Sequence, residues 1–527
     1  MDLSPNEDFS GLRAYIWPVY RCELRKLFPM LAMFFLISLN YNILRTMKDS
    51  LLVTAKGSGA EVIPFIKVWV MFPMALMITF VFTHLSNRLS QEKVFYCIFG
   101  SFLTFFFVFT FIIYPFRDTL HPHETADALQ VMLPQGLKGL VAMFRYWTFT
   151  LFYVMSELWS NIILSLLFWG FANEITRISE AKRFYGLFGV GANFSGIAAG
   201  QISILLCRSQ YNPRLPFGED AWHQSLILLM SLILLVGILT LFIYRWMHRT
   251  ILSDKRYYNP EREVVSKNKE RSPRMSITEN FRYILKSPYL TSIMLIVLSY
   301  NIVINLVEVL WKHQVKELYP NPGDYTVYMN QVTTIIGVIA TLVAAFVSGN
   351  SIRRLGWSFT AMLAPMILLV TSVLFFGFFF LAPNIPVWML GLPLLGSTPL
   401  AVVVFFGTMQ NCLSRAAKYT VFDATRELAF VPLGSECKVR GKSAIDGVCS
   451  RLGKSGGSVV HQVLLLSCAT ITASAPYVAA ILLIVNFIWL GATVALGRQF
   501  NALTDHEENS ALSSKENHDL EDCVVST

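Results

Sequence analysis

The chain has 527 residues, 54% of them hydrophobic and only 15% charged, with 41 Phe, 11 Trp and a mean hydropathy of +0.51. Such values exclude a soluble domain, which carries far more charge, and the continuous apolar runs of about 20 residues exclude a barrel, whose strands alternate over about ten. The formal net charge of +9 reads first as a signal of orientation in a membrane, and second as an attraction for anionic lipid or solute.

In chain order the hydropathy predicts twelve membrane helices. Spans fall near 28–52, 62–85, 93–115, 139–172, 183–206 and 222–246, then near 288–311, 326–348, 356–381, 387–413, 441–468 and 472–497. Residues 1–27 are mixed polar and charged and run straight into a full-length span, so the first helix is expected to serve as the insertion signal. With both termini cytoplasmic, inside segments hold about 30 of the 43 basic residues and outside loops about 8, the bias that orients a membrane protein. Residues 247–287 form a basic linker between two sets of six spans. Its reading as a solvated, topogenic segment outweighs nucleic-acid binding. The acidic tail from 498 to 527 is expected to be disordered.

The two sets of spans look related. Leu39-Asn40-Tyr41-Asn42-Ile43-Leu44 in the first span and Leu298-Ser299-Tyr300-Asn301-Ile302-Val303 in the seventh share their spacing, and the same offset sets Asp49 opposite Glu308. Short basic turns follow the second and eighth spans, at Asn87-Arg88 and Arg353-Arg354. The expectation is an all-α integral membrane protein of two pseudo-symmetric six-helix bundles, 28–246 and 288–497, of the major-facilitator kind, with a central cavity alternately open to each side.

Charges within the spans point to what that cavity would hold. A cation in hydrocarbon costs roughly 2.5–3.5 kcal/mol, so Arg45, Lys67, Arg145, Arg451 and Lys454, several of them on separate helices, imply a wet interior that attracts an anion. Lys67 can snorkel, and Arg145, among Tyr146, Trp147 and Phe149, has interfacial anchoring as its stronger reading. Glu157 and Glu308 lie in spans where an ionised carboxylate needs a cation, water or a proton. The eleventh span is densest, with Lys442, Asp446, Arg451 and Lys454. Lys442 and Asp446 are spaced to share one helix face. Several cations suit a multiply charged anion such as a polyphosphate.

Other chemistry finds little support. Gly453-Lys454-Ser455 has the end of a phosphate loop, but Val448 stands where that loop's first glycine belongs and no strand precedes it. Gly196-x3-Gly200 and Gly453-x3-Gly457 read instead as close helix contacts. The eight cysteines show no C-x-x-C, and His121, His123 and Glu124 in an outer loop are a weak metal signature. No cofactor, metal or nucleic-acid partner is expected.

From Leu24 to Phe500 the chain resembles the nucleotide transporter family of plastids and obligate intracellular bacteria, the ATP/ADP translocases. The resemblance is carried by Tyr41-Asn42-Ile43-Leu44-Arg45 with Lys48-Asp49, by Gly59-Ala60-Glu61-Val62-Ile63-Pro64-Phe65-Ile66-Lys67, and by Ser156-Glu157-Leu158-Trp159. It continues through Phe168-Trp169-Gly170-Phe171-Ala172-Asn173-Glu174, Asn305-Leu306-Val307-Glu308-Val309, Phe422-Asp423-Ala424-Thr425 and Gly453-Lys454-Ser455-Gly456-Gly457. It implies exchange of external ATP for internal ADP by alternating access, by a protein working as a monomer in a bacterial inner membrane. Lys67, Glu157, Glu308 and Lys454 match the family's important positions; the expected roles are phosphate contact for the lysines and coupling for the glutamates. Arg45, Lys48, Asp49, Arg145, Asp446 and Arg451 are secondary candidates. Family exchangers commonly carry an acidic residue directly after the first-span arginine, where this chain has Thr46, and that departure keeps proton-coupled net import of nucleotides as the alternative.

Overall fold

The computed structural model describes residues 19–20, 23–176, 178–207, 210–253, 282, 284–343, 349–384, 398–433, 441–442, 445 and 449–525. Among them the regular structure is entirely helical, and eleven helices are long and apolar enough to cross a membrane. In chain order we label α1 Leu24–Val53, α2 Val62–Arg88, α3 Gln91–Ile113, α4 His123–Met132, α5 Lys138–Arg145, α6 Trp147–Ile175, α7 Ile178–Leu206 and α8 Ala221–Thr250. There follow α9 Pro288–Leu318, α10 Pro322–Val343, α11 Gly356–Asn384, α12 Pro399–Ala429, α13 Ser450–Cys468 and α14 Ile471–Val525.

Three elements differ from the hydropathy reading. The span expected at 139–172 is broken at Tyr146 (φ −107°, ψ 49°), so Arg145 ends the short helix α5 and lies outside the span α6. Of the span expected at 387–413, residues 387–397 lie outside the described residues, and the described part runs further than expected. Its helix starts at the Thr398 cap, whose hydroxyl accepts from the Ala401 amide, and continues through the polar turns Arg415–Glu427 that an apolar window rejects. Finally, α13 is helical, but Arg451, Lys454, His461 and Gln462 make it too polar to count among the eleven.

Among the described residues, four of the eleven spanning helices widen locally into π-helix, at Ile66–Met71 in α2, Phe109–Ile113 in α3, Trp159–Phe168 in α6 and Lys418–Phe422 in α12. Such insertions are uncommon and concentrate at functional sites.

The chain forms two compact units, Met1–Ser272 with Val315–Thr341, and Pro273–Gln314 with Leu342–Thr527. Lipid tails are as apolar as leucine, so helices in such units associate through close packing and buried hydrogen bonds. In the first unit α1 packs on α6, α7 and α8. Asn40 donates to the Ile233 carbonyl at 3.0 Å and Trp159 to the Ile37 carbonyl at 3.2 Å. Thr326 donates to the Ser50 hydroxyl at 2.6 Å, and Thr46 to Asn330 Oδ1 at 3.2 Å, fixing α10 to α1. A side chain at Gly200 would meet the Asn330 carbonyl at 2.7 Å, so this glycine is what lets α7 approach α10.

In the second unit α11 packs on α12 and α14. Tyr300 stacks on Phe422 with ring centres 4.6 Å apart, and both meet the edge of Trp489. The glycine face of α13 rests on α9: a Cβ at Gly453 would lie 2.8 Å from Asn301 Cβ, and one at Gly457 would lie 3.2 Å from Asn305 Cβ. A matching contact occurs within the first unit, where Asn42 Nδ2 donates to Ser195 beside Gly196. Asn301 follows Asn42 by 259 positions and Gly453 follows Gly196 by 257. The asparagine of the two short strings thus meets a small-residue helix in both units, the glycine offset differing from 259 by two positions.

Candidate functional site

Two ion-pair clusters between membrane helices, one in each unit, contain the glutamates expected from the sequence. In the first, the Lys48 ammonium on α1 is 3% exposed and lies 2.9 Å from Glu157 Oε1 on α6 and 3.2 Å from Asp49 Oδ1. It also sits 3.7 Å from the ring centre of Tyr153, one turn before Glu157, so an aromatic face supplements the carboxylates. Glu157 is 30% exposed and lies two residues before the π-helical segment of α6. Here the cation is buried and a carboxylate is accessible.

In the second unit, Glu308 on α9 is gripped from two sides through the same oxygen. Lys312 Nζ, one turn along the helix, lies 2.9 Å from Oε1, and the Arg415 guanidinium on α12 lies 3.0 Å from it. Lys418, one turn beyond Arg415 at the start of the π-helical turn, sits over the rings of Tyr419 at 5.0 Å and Tyr300 at 5.9 Å. Asn305, one turn before Glu308, donates to the Lys454 carbonyl at 2.5 Å and to Ser458 at 3.0 Å, and so locks α9 to the turn that carries Lys454. His461 completes that seam against the Leu306 carbonyl at 3.1 Å.

The expected residues thus divide. Glu157 joins Lys48 and Asp49, whereas Glu308 stands with Arg415 and Lys312. Lys67 is half-buried within the π-helical turn of α2, and Arg45 is half-buried on α1. Lys454 and Arg451 are exposed on the first turns of α13. Asp446 lies outside the described residues; Lys442, matched to it by spacing, pairs with Glu427. Arg145 is held by Asp127 and by Gln130 at 3.1 Å, both on α4, which makes it a tie between loop and span.

Sequence reasoning missed Arg415, Lys312 and Lys418. Lys312 was detectable, because a lysine four residues after a membrane glutamate is the expected neutraliser. Arg415 and Lys418 fell just past the predicted span edge at 413, where a basic residue looks like part of an ordinary inside loop.

A buried cation–carboxylate pair is costly to break one side at a time, since the group left behind is charged and desolvated. An incoming anion can replace the carboxylate at the cation without that cost.

Comparisons with known proteins give a consistent relationship. A profile of the TLC ATP/ADP transporter matches residues 3–500. The ADP,ATP carrier protein 1 of Chlamydia pneumoniae is 44% identical over 521 residues, covering 98% of this chain and 100% of the relative. The chloroplastic ADP,ATP carrier protein 1 of Arabidopsis thaliana is 41% identical over 494 residues, covering 94% of this chain and 77% of its own. Among solved structures, the inward-facing crystal structure of a bacterial homologue of the iron transporter ferroportin aligns with a TM-score of 0.55 at 16% identity, over 89% of this chain and 99% of that one. At that identity the likeness speaks for a major-facilitator-like fold alone.

Proposed function

Since the chain belongs to the TLC ATP/ADP transporter family, we propose that it is a secondary transporter exchanging ATP for ADP across a membrane by alternating access. The observation that carries this reading is the 44% identity over essentially the full length of a protein named as an ADP,ATP carrier. The ion-pair clusters add a physical reason: spans that pair Lys48 with Glu157, and Glu308 with Lys312 and Arg415, are suited to handling charge inside the bilayer.

We assign the phosphates to Lys67 and Lys454, each within its own unit, and coupling to Glu157 and Glu308. When nucleotide leaves, a cation that loses its phosphate must regain a carboxylate or stand unpaired in low dielectric, and the empty carrier is slow to reorient. Obligatory exchange follows from that asymmetry. A bacterial inner membrane, cytoplasmic termini and a working monomer are part of the same proposal, the orientation resting on the distribution of Lys and Arg.

One observation keeps net import as a second reading. Thr46, in place of an acidic residue, hydrogen-bonds to the Ile43 carbonyl and to Asn330, and Glu157, 30% exposed on α6, is the carboxylate we assign to proton uptake in that reading. Purified protein in liposomes separates the two. Labelled ATP uptake that requires internal ADP supports exchange; uptake into empty vesicles driven by an acidic exterior supports proton coupling and overturns it.

A further inference from the structure

Resting on the nucleotide-exchange reading, we infer that Arg415 is a phosphate-binding residue, parked on Glu308 when no nucleotide is bound and transferred to the substrate's phosphates when one is.

The argument begins with how unequally the two cations at Glu308 are placed. Lys312 is on the same helix, four residues on, and its side chain is 4% exposed. Arg415 reaches Glu308 from another helix and is 13% exposed. The buried lysine, on the same helix, is the standing countercharge to Glu308. Arg415 adds a second positive charge to the same oxygen, through one hydrogen bond from a guanidinium that carries five N–H donors in a planar fork. The rest of that fork suits two phosphate oxygens at once, which an ammonium on a flexible stem cannot match.

The surroundings fit an anion as well. Lys418 follows Arg415 by one turn, on rings that hold its charge in place, so α12 offers two cations side by side. The π-helical turn beginning at Lys418 widens the helix at this point. The first unit has the opposite polarity, with Lys48 buried beneath an accessible Glu157. In the first unit the cation is on α1 and the carboxylate on α6; in the second the carboxylate is on α9 and Arg415 on α12, where it is 13% exposed against 3% for Lys48. The second unit therefore offers a phosphate a partly exposed guanidinium, whereas the cation of the first unit is closed in.

The test is equilibrium binding of ATP, ADP, AMP and adenosine to the purified full-length protein in detergent, for the unmodified chain and for Arg415→Gln, Arg415→Lys and Glu308→Gln. Losing a charge-assisted hydrogen bond weakens binding by about tenfold or more. Arg415→Gln is expected to weaken ATP by that factor, ADP less, AMP less again and adenosine hardly at all. Arg415→Lys should fall between Arg415→Gln and the unmodified protein; it also covers the case in which the glutamine variant does not fold. Glu308→Gln, which frees Arg415 from its carboxylate, is expected to bind ATP at least as tightly as the unmodified protein. A residue that only neutralises Glu308 predicts otherwise. If the Arg415 variants lose affinity equally for adenosine and ATP, or lose none, the assignment is wrong while nucleotide exchange stands. If the unmodified protein binds no nucleotide, the exchange reading fails first and takes the assignment with it.

Discussion

Lys48 and Glu157 meet at 2.9 Å between α1 and α6, and they do so with very different exposure, 3% against 30%. Removing either leaves the other charged, but the consequences differ with burial. Lys48→Met leaves Asp49, 1% exposed, and Glu157 without their shared cation, a change worth about 3–5 kcal/mol when a buried pair is broken. Glu157→Gln leaves Lys48 with Asp49 and the Tyr153 ring. Thermal unfolding in detergent is therefore expected to fall more for Lys48→Met than for Glu157→Gln, although both should lose ATP uptake. Equal destabilisation would mean that Tyr153 and Asp49 give Lys48 no support.

Lys454 and Gly453 are neighbours in the chain with opposite expected behaviour. Lys454 is exposed, whereas any side chain at Gly453 runs into Asn301 Cβ at 2.8 Å and the Leu298 carbonyl at 3.2 Å. Lys454→Ala should keep stability within about 0.5 kcal/mol, as surface changes do, and lose exchange activity. Gly453→Leu should cost about 1–3 kcal/mol through overpacking and lose folded protein before any question of transport arises. Uptake by Lys454→Ala equal to that of the unmodified chain would remove this lysine from the phosphate contacts.

Much of this was legible in the chain because a membrane span must satisfy its backbone internally and be apolar outside, so about 20 apolar residues carry their own signal. Charges that interrupt such a run stand out, which is how Glu157, Glu308 and Lys454 could be named. Arg415 could not, because α12 continues for four turns beyond the apolar stretch, and hydropathy ends a helix where its polarity begins. Arg145 failed in the reverse way. It lay in a run apolar enough to be one span, and the break at Tyr146 is a backbone event with no proline or glycine to announce it. The repeat was visible as two short strings; its physical content, Asn42 beside Gly196 and Asn301 against Gly453, needed coordinates to bring distant helices together.

His121, in the loop assigned to the outer face, gives a pH dependence. It is buried, its Nε2 lies 2.7 Å from Thr148 Oγ1, and burial, aided by the neighbouring His123, lowers its pKa from 6.5 to about 4. An unfolded loop would take up a proton near 6.5, whereas the folded one resists until about 4. The folded loop's stability is thus complete above about pH 6.5 and declines as the outer pH falls toward 4. Protease resistance of the outer loop, followed from pH 7.5 to 4.5, should drop across that window. His121→Gln, which keeps a polar group for Thr148 but cannot be protonated, should flatten the profile; an unchanged profile would assign the loss to other groups.

Arg145 separates a structural cation from a transport cation. Its guanidinium is committed to Asp127 and Gln130 on α4, and the adjacent Tyr146 hydroxyl donates to the Lys56 carbonyl at 2.6 Å, so α4, α5 and the loop after α1 are tied at one corner. Asp127 is well exposed, which limits the pair's energy to the range of surface ion pairs, about 0–1 kcal/mol, with the packing of a buried arginine stem added to it. Asp127→Asn should therefore change little, while Arg145→Ala should lower thermal stability and yield. Neither should alter the relative affinities for ATP, ADP and AMP, because the charge that Arg145 answers belongs to the protein. Measuring those ratios in the folded fraction of Arg145→Ala checks the point directly: a loss that grows with phosphate number would return Arg145 to the residues that meet substrate.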